Sequence, residues 1–116
     1  MNTKIAFFAF NGTTMTFVHA LLNVIDMKEK GYDVKLIIEG DATELVAKFS
    51  DTESPFYNLY AKTKDLGIID CVCEACAIKS GAYERLEAQE LPFCREMTGH
   101  PSMLRYIEEG YSIIVL

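Results

Sequence analysis

Apolar and polar residues follow one another in blocks along this chain, and the period changes from block to block. Thr3 to Phe10 is a continuous apolar, aromatic-rich run without helical spacing, the pattern of a strand buried on both faces. Asn11-Gly12 turns the chain and Thr13 or Thr14 offers a cap. Met15, Val18, Leu21, Leu22 and Ile25 then recur at helical intervals until Gly31 stops them. Asp33 to Glu39, carrying Val34, Leu36, Ile37 and Ile38, is a second strand. Asp41 with Glu44 resembles a capping box and opens a short helix through Phe49. The polar stretch Ser50 to Ser54 reads as a mobile surface loop, after which Ser54-Pro55 caps a helix closed by Gly67.

Ile68 to Val72 is a short third strand running into Cys73, and Glu74 to Ala88 is helical with a weak point at Gly81. Leu91 to Cys94 forms a fourth strand, which Pro92 confines to an early or edge position because its ring nitrogen donates no ladder hydrogen bond. His100-Pro101 opens a last helix with Met103, Leu104 and Ile107, and Tyr111 to Leu116 is a final strand. Strand and helix alternate five times with the last helix missing. Short connections of that kind call for right-handed crossovers onto a parallel sheet. The expected fold is a three-layer α/β/α sandwich on a five-stranded parallel sheet, one domain over residues 1–116. A chain of that length buries roughly two-thirds of the surface it exposes unfolded.

Charge narrows the functional classes. Eleven Lys and Arg stand against 17 Asp and Glu, a net charge of −6, with no basic cluster. Gripping phosphate backbones requires cations that displace counterions, so direct nucleic-acid binding is not expected. Ile5 to Phe10 is too short to span a membrane or serve as a secretory core, which points to a soluble cytoplasmic protein without membrane contact. Thiols stay reduced in that compartment. The four Cys are therefore expected to be buried, metal-binding or reactive rather than a disulfide framework.

In an open parallel sheet, sites gather where loops and helix N-termini meet the carboxyl ends of the strands. Here those ends carry Asn11-Gly12-Thr13-Thr14, Glu39-Gly40-Asp41, Cys73-Glu74-Ala75-Cys76 and Met97-Thr98-Gly99-His100. At the first turn of a helix, unpaired N–H groups favour thiolate at Cys73, while Glu74 opposes them. Cys76 lies one turn on, and such a pair can form a disulfide, hold a metal, or let one thiol resolve an intermediate on the other. Cys71 and Cys94 read as small apolar core residues. Cys71, Cys73 and Cys76 with Cys94 or His100 would supply four metal ligands. The two paired knuckles of structural zinc sites are missing, however, so neither metal nor cofactor is expected. His19 shares the polar face of the first helix with Asn23 and Asp26 and reads as a surface residue.

The segment Cys73-Glu74-Ala75-Cys76-Ala77-Ile78-Lys79-Ser80-Gly81, taken with the five β-α units, resembles the DsrE/DsrF-like family of sulfur-relay proteins, including its TusD-like members. A Cys after the third strand, small apolar residues, an aliphatic residue, a basic residue and Gly follow that family's active-cysteine segment. Ser80 stands where an Arg is frequent, and Cys76 is additional to the general pattern. The resemblance implies a cytoplasmic homo-oligomer, trimeric or hexameric, that takes sulfane sulfur as a persulfide on Cys73. Cys76 would be a resolving thiol and His100 a neighbour, with Asn11, Gly12, Thr13, Glu39 and Gly40 in the ligand-binding loops. It implies sulfur-donor and sulfur-acceptor proteins as partners, and Phe56, Tyr57 and Tyr60 are candidate oligomer contacts. The alternatives are a metal- or small-ligand-binding oligomer using Cys71, Cys73 and Cys76 without turnover, or a non-catalytic subunit of a sulfur-relay complex.

Overall fold

The computed structural model describes residues 3–116. Among them are five strands and six helices: β1 (Lys4–Ala9), α1 (Thr14–Glu29), β2 (Asp33–Ile38), α2 (Ala42–Phe49), α3 (Tyr57–Asp65), β3 (Ile69–Cys73), α4 (Glu74–Ser80), α5 (Tyr83–Ala88), β4 (Phe93–Cys94), α6 (Met103–Glu108) and β5 (Ser112–Val115). All strand pairs are parallel, in the order β4-β3-β2-β1-β5. The α/β class and the five-stranded parallel sheet are as the periodicity predicts.

The strand order explains where the helices lie. From β1 to β4 the chain steps repeatedly towards one edge of the sheet, so right-handed crossovers place α1 to α5 on the same face. There Phe7, Ala9, Leu36, Ile38 and Val72 pack against Phe17, Leu21, Val24, Val46, Tyr60, Ala77 and Leu86. The return from β4 to β5 runs the opposite way and puts α6 alone on the other face, over Ala6, Phe8, Ile37, Cys71 and Cys94. The third layer is thus one short helix. Lys35, Asp70 and Arg105 finish that face as an ion-paired group, Arg105 to Asp70 at 2.8 Å and Lys35 to Asp70 at 3.8 Å.

Several local expectations are corrected. Neither Asp41 nor Thr13 caps its helix through its side chain; instead the Thr13 N–H donates to Asn11 Oδ1 at 2.7 Å, an Asx-type turn. The segment 74–88 is two helices rather than one, because Gly81 takes φ 77° and ends α4. His100 does not open the last helix, which begins at Met103 after Ser102. Tyr60 is buried and so not available at the surface, whereas Phe56, stacked on Phe49 at 5.1 Å, stays partly exposed. The exposed large apolar side chains include Met97, Leu104, Ile107, Val115 and Leu116, on the α6 and β5 side or its approach.

The largest correction concerns Cys71 and Cys94. Both are core residues as expected, but they are joined as a disulfide. β3 and β4 are adjacent, with Cys73 opposite Cys94. Cys71 and Cys94 share the α6 face at a Cα separation of 5.5 Å, inside the range a disulfide spans without backbone movement.

Candidate functional site

β3 ends at Cys73, which is also the N-cap residue of α4. Its extended backbone (φ −58°, ψ 117°) turns the sulfur back over the first turn of the helix, where Sγ accepts the Cys76 N–H at 3.3 Å. Cys76 Sγ in turn accepts the N–H of Gly40 at 3.2 Å, which ties the end of β2 to α4. That contact needs glycine: Gly40 has φ 60°, and a Cβ there would lie 3.0 Å from the Phe10 carbonyl oxygen.

The third member arrives on the connection from β4 to α6. Met97 to His100 is a tight turn with positive φ at both central residues, Thr98 (52°) and Gly99 (89°), the type I′ arrangement. Met97 and His100 exchange both backbone hydrogen bonds across it. The turn docks on α4 through Ala75 N–H to Gly99 C=O at 2.9 Å, and a Cβ at Gly99 would press on Ala75 Cβ at 3.2 Å. His100 Nδ1 is thereby held 3.3 Å from Cys73 Sγ and 3.9 Å from Cys76 Sγ. Three ligand atoms, two sulfurs and one nitrogen, all lie within 4.8 Å of one another.

The two thiols differ in environment. Cys73 is 0% exposed, whereas Cys76 is half-buried and lines an open cavity of about 400 Å³ with Gly40, Asp41, Glu44, Lys79, Ser80 and His100. Burial pushes the Cys73 thiol up to about 12. The Cys76 sulfur adds to the rise, the Cys76 N–H works against it, and the nearby Glu39 carboxylate contributes in the upward direction. Placement at a helix start thus does not make Cys73 a thiolate at neutral pH; desolvation outweighs a single N–H donor. Glu39 is only 8% exposed, and burial raises its carboxyl to about 7. It lines a second, more apolar cavity of about 410 Å³ with Phe10, Met97, Pro101, Ser102, Met103 and Leu104. Glu39-Gly40 and His100-Pro101 each contribute one residue to either cavity, so the two spaces adjoin along these dipeptides.

Of the residues singled out in the sequence, Cys73, Cys76, His100, Glu39 and Gly40 come together at this edge. Asn11, Gly12 and Thr13 do not line either cavity; Gly12 lies against Asp41, where its missing Cβ would come within 2.6 Å of Asp41 Cβ, and so supports the neighbouring loop. His19 is exposed on α1, and its carbonyl accepts from Asn23 at 2.8 Å. Of the other lining residues, Asp41 lies in the predicted strand-end loop and Lys79 and Ser80 in the 73–81 segment, while Glu44, in the first turn of α2, had no signal but its position.

A buried thiol, a cavity-facing thiol and an imidazole at the carboxyl edge of a parallel sheet define a thiol-centred α/β protein. The chain belongs to the family of the uncharacterized protein MJ0733 of Methanocaldococcus jannaschii, with which it is 34% identical over 119 aligned positions, covering 97% of this chain and 95% of that protein. An uncharacterized protein of Archaeoglobus fulgidus is 43% identical over 51 positions, covering 44% of this chain and 84% of its own length. No protein-family model matches the chain, and no solved structure matches it. No helix among the described residues is long and apolar enough to cross a membrane.

Proposed function

We propose that the protein is a small sulfur carrier of the DsrE/DsrF type, taking up sulfane sulfur as a persulfide on the Cys73–Cys76 pair. The observation that supports this reading is the exposure of Cys76 Sγ to an open cavity, with a second thiol directly behind it and one imidazole within 3.9 Å of both sulfurs. Because Cys73 is closed to solvent, the reading assigns the receiving role to Cys76 and makes Cys73 the second thiol.

The Cys76 thiol loses its proton towards His100, and its sulfur attacks the terminal sulfur of a donor persulfide. The donor's S–S bond breaks, a new S–S bond forms on Cys76, and the donor leaves as a thiolate. An acceptor thiolate then repeats the step on the bound sulfur. Cys73 offers a competing exit: its sulfur attacks the inner sulfur of the Cys76 persulfide, forms a Cys73–Cys76 disulfide and expels hydrosulfide. In this reading the partners are sulfur-donor and sulfur-acceptor proteins, and the setting is cytoplasmic, where burial of Cys71 and Cys94 shields their bridge from reductants. Leu104 and Ile107, both exposed and three residues apart on one face of α6, form an apolar patch that supports a homo-oligomer.

Incubation of the reduced, chelator-treated protein with a low-molecular-weight persulfide, followed by intact mass measurement, tests the reading. Wild type should gain the mass of one sulfur atom and Cys76→Ser should not. An unmodified wild type, or equal gain in both, rejects it.

A further inference from the structure

Beyond sulfur uptake, we propose that Cys73, Cys76 and His100 form a three-ligand site for a zinc(II) ion, with the fourth coordination position open to the cavity lined by Cys76 and His100. The proposal stands on geometry and does not depend on whether the thiols carry sulfur.

In a tetrahedral zinc site with Zn–S near 2.3 Å and Zn–N near 2.0–2.1 Å, a ligand sulfur and a ligand nitrogen stand about 3.6 Å apart. The two sulfur-to-nitrogen separations here are 3.3 and 3.9 Å, one on each side of that value, and no pair in the group exceeds 4.8 Å. One ion can therefore reach all three atoms by small side-chain adjustments alone. Each sulfur also receives a backbone N–H, from Cys76 for Cys73 and from Gly40 for Cys76. Donors aimed at metal-bound thiolates orient them and offset their charge. His100 is fixed by its turn, in which Thr98 holds a φ of 52° that β-branched residues rarely adopt; such strain persists where surrounding contacts hold a geometry in place.

The donor set selects the metal. Two sulfurs and one imidazole suit zinc rather than magnesium or calcium, which take oxygen ligands. Asp41 and Glu44 outnumber Lys79 on the cavity lining and so favour a cation's approach, and three protein ligands with an open position are the pattern of sites that admit water or an exogenous ligand. Binding breaks two S–H bonds and forms two S–Zn bonds. Both protons pass to solvent and no electrons are transferred. Zinc and sulfane sulfur thus compete for the same sulfurs, and the zinc-loaded form is closed to persulfide.

Cobalt(II) and zinc(II) titrations of the full, metal-free chain, with Cys73 and Cys76 as free thiols and the Cys71–Cys94 bridge intact, provide the test. Cobalt should give thiolate-to-metal charge-transfer absorption that saturates at one ion per chain and is displaced by zinc. Cys76→Ser and His100→Ala should each weaken zinc binding by about 100-fold or more, since loss of mere outer-shell partners already costs 10–100-fold. Absence of the cobalt band, or affinity unchanged in both variants, overturns the proposal. If a variant fails to fold, wild type still decides: zinc should protect Cys76 from alkylation, and unprotected Cys76 at saturating zinc overturns it. Sulfur uptake by the same preparation in chelator is scored separately, so failure of one reading leaves the other measurable.

Discussion

His100 Nδ1 lies 3.3 Å from Cys73 Sγ and 3.9 Å from Cys76 Sγ, so one imidazole serves both thiols across 27 and 24 residues of chain. A base so placed can accept a proton from whichever thiol reacts. In metal-free protein at pH 7, His100→Asn should slow alkylation of Cys76 by iodoacetamide about tenfold, a modest share of the usual gain from general-base assistance. Mass mapping of the alkylated peptide gives the rate at that residue. An unchanged rate would show that the ring does not take the proton.

Glu39 makes stability depend on pH. Its carboxyl titrates near 7 in the folded chain and near 4.5 in the unfolded one, so the native state holds the extra proton between those values. The Glu39 contribution is then fully favourable below about pH 4.5 and is lost as pH rises through 7. Glu39→Gln should leave the urea midpoint nearly unchanged at pH 4.5. At pH 8 it should stabilise the protein by about 1–2 kcal/mol, a figure reduced for the solvent that reaches a carboxyl at a cavity wall. A variant destabilised equally at both pH values contradicts the assignment.

The Cys71–Cys94 bridge closes a segment that contains both site thiols. For a loop of 23 residues' separation, the chain-entropy relation gives about 3 kcal/mol of stabilisation. Non-reducing peptide mapping should find Cys71 linked to Cys94, with only Cys73 and Cys76 open to alkylation after unfolding. Replacing both bridged residues by Ala should lower stability by about 3 kcal/mol in denaturant. Four alkylatable thiols in the oxidised protein would contradict the linkage.

Gly40 is the position where the backbone itself builds the site. Ala there must hold φ near 60° and place Cβ 3.0 Å from the Phe10 carbonyl oxygen. Gly40→Ala should cost about 1–2 kcal/mol, read as a fall of roughly 4–8 °C in Tm, and should weaken the hydrogen bond to Cys76. Tm equal to wild type would mean that the loop relaxes without resistance.

The fold was legible because each strand announces itself as a block. Thr3 to Phe10 and Asp33 to Glu39 contain β1 and β2 to within a residue or so at each end. The meeting of Cys73, Cys76 and Gly40 was also legible, since carboxyl ends of parallel strands share one edge. Less visible was anything that depends on register between strands. The bridging of Cys71 to Cys94 requires β3 beside β4 with Cys73 opposite Cys94, and an argument from redox compartment pointed the other way. The thiol that faces the cavity was equally hidden. Helix-start electrostatics favoured Cys73, but side-chain burial, which no local pattern reports, leaves Cys76 exposed to it. Of the aromatic residues after Ser54, the burial of Tyr60 was hidden for the same reason, while Phe56 and Tyr57 stay partly exposed.

The pairing of β1 with β5 sets an order of events for the growing chain. Ile5 lies opposite Ser112, so one side of this apolar strand finds its neighbour only once residues 112–115 have been made. β1 can join β2 early, after a single helix, but its other edge stays open through the synthesis of everything between. Contacts of such long sequence separation form late, and an unpaired apolar edge invites other chains. The hazard in the life of this protein therefore outlasts the synthesis of Cys73, Cys76 and His100, through the whole interval when Phe7 and Phe8 are ordered on one side and waiting on the other.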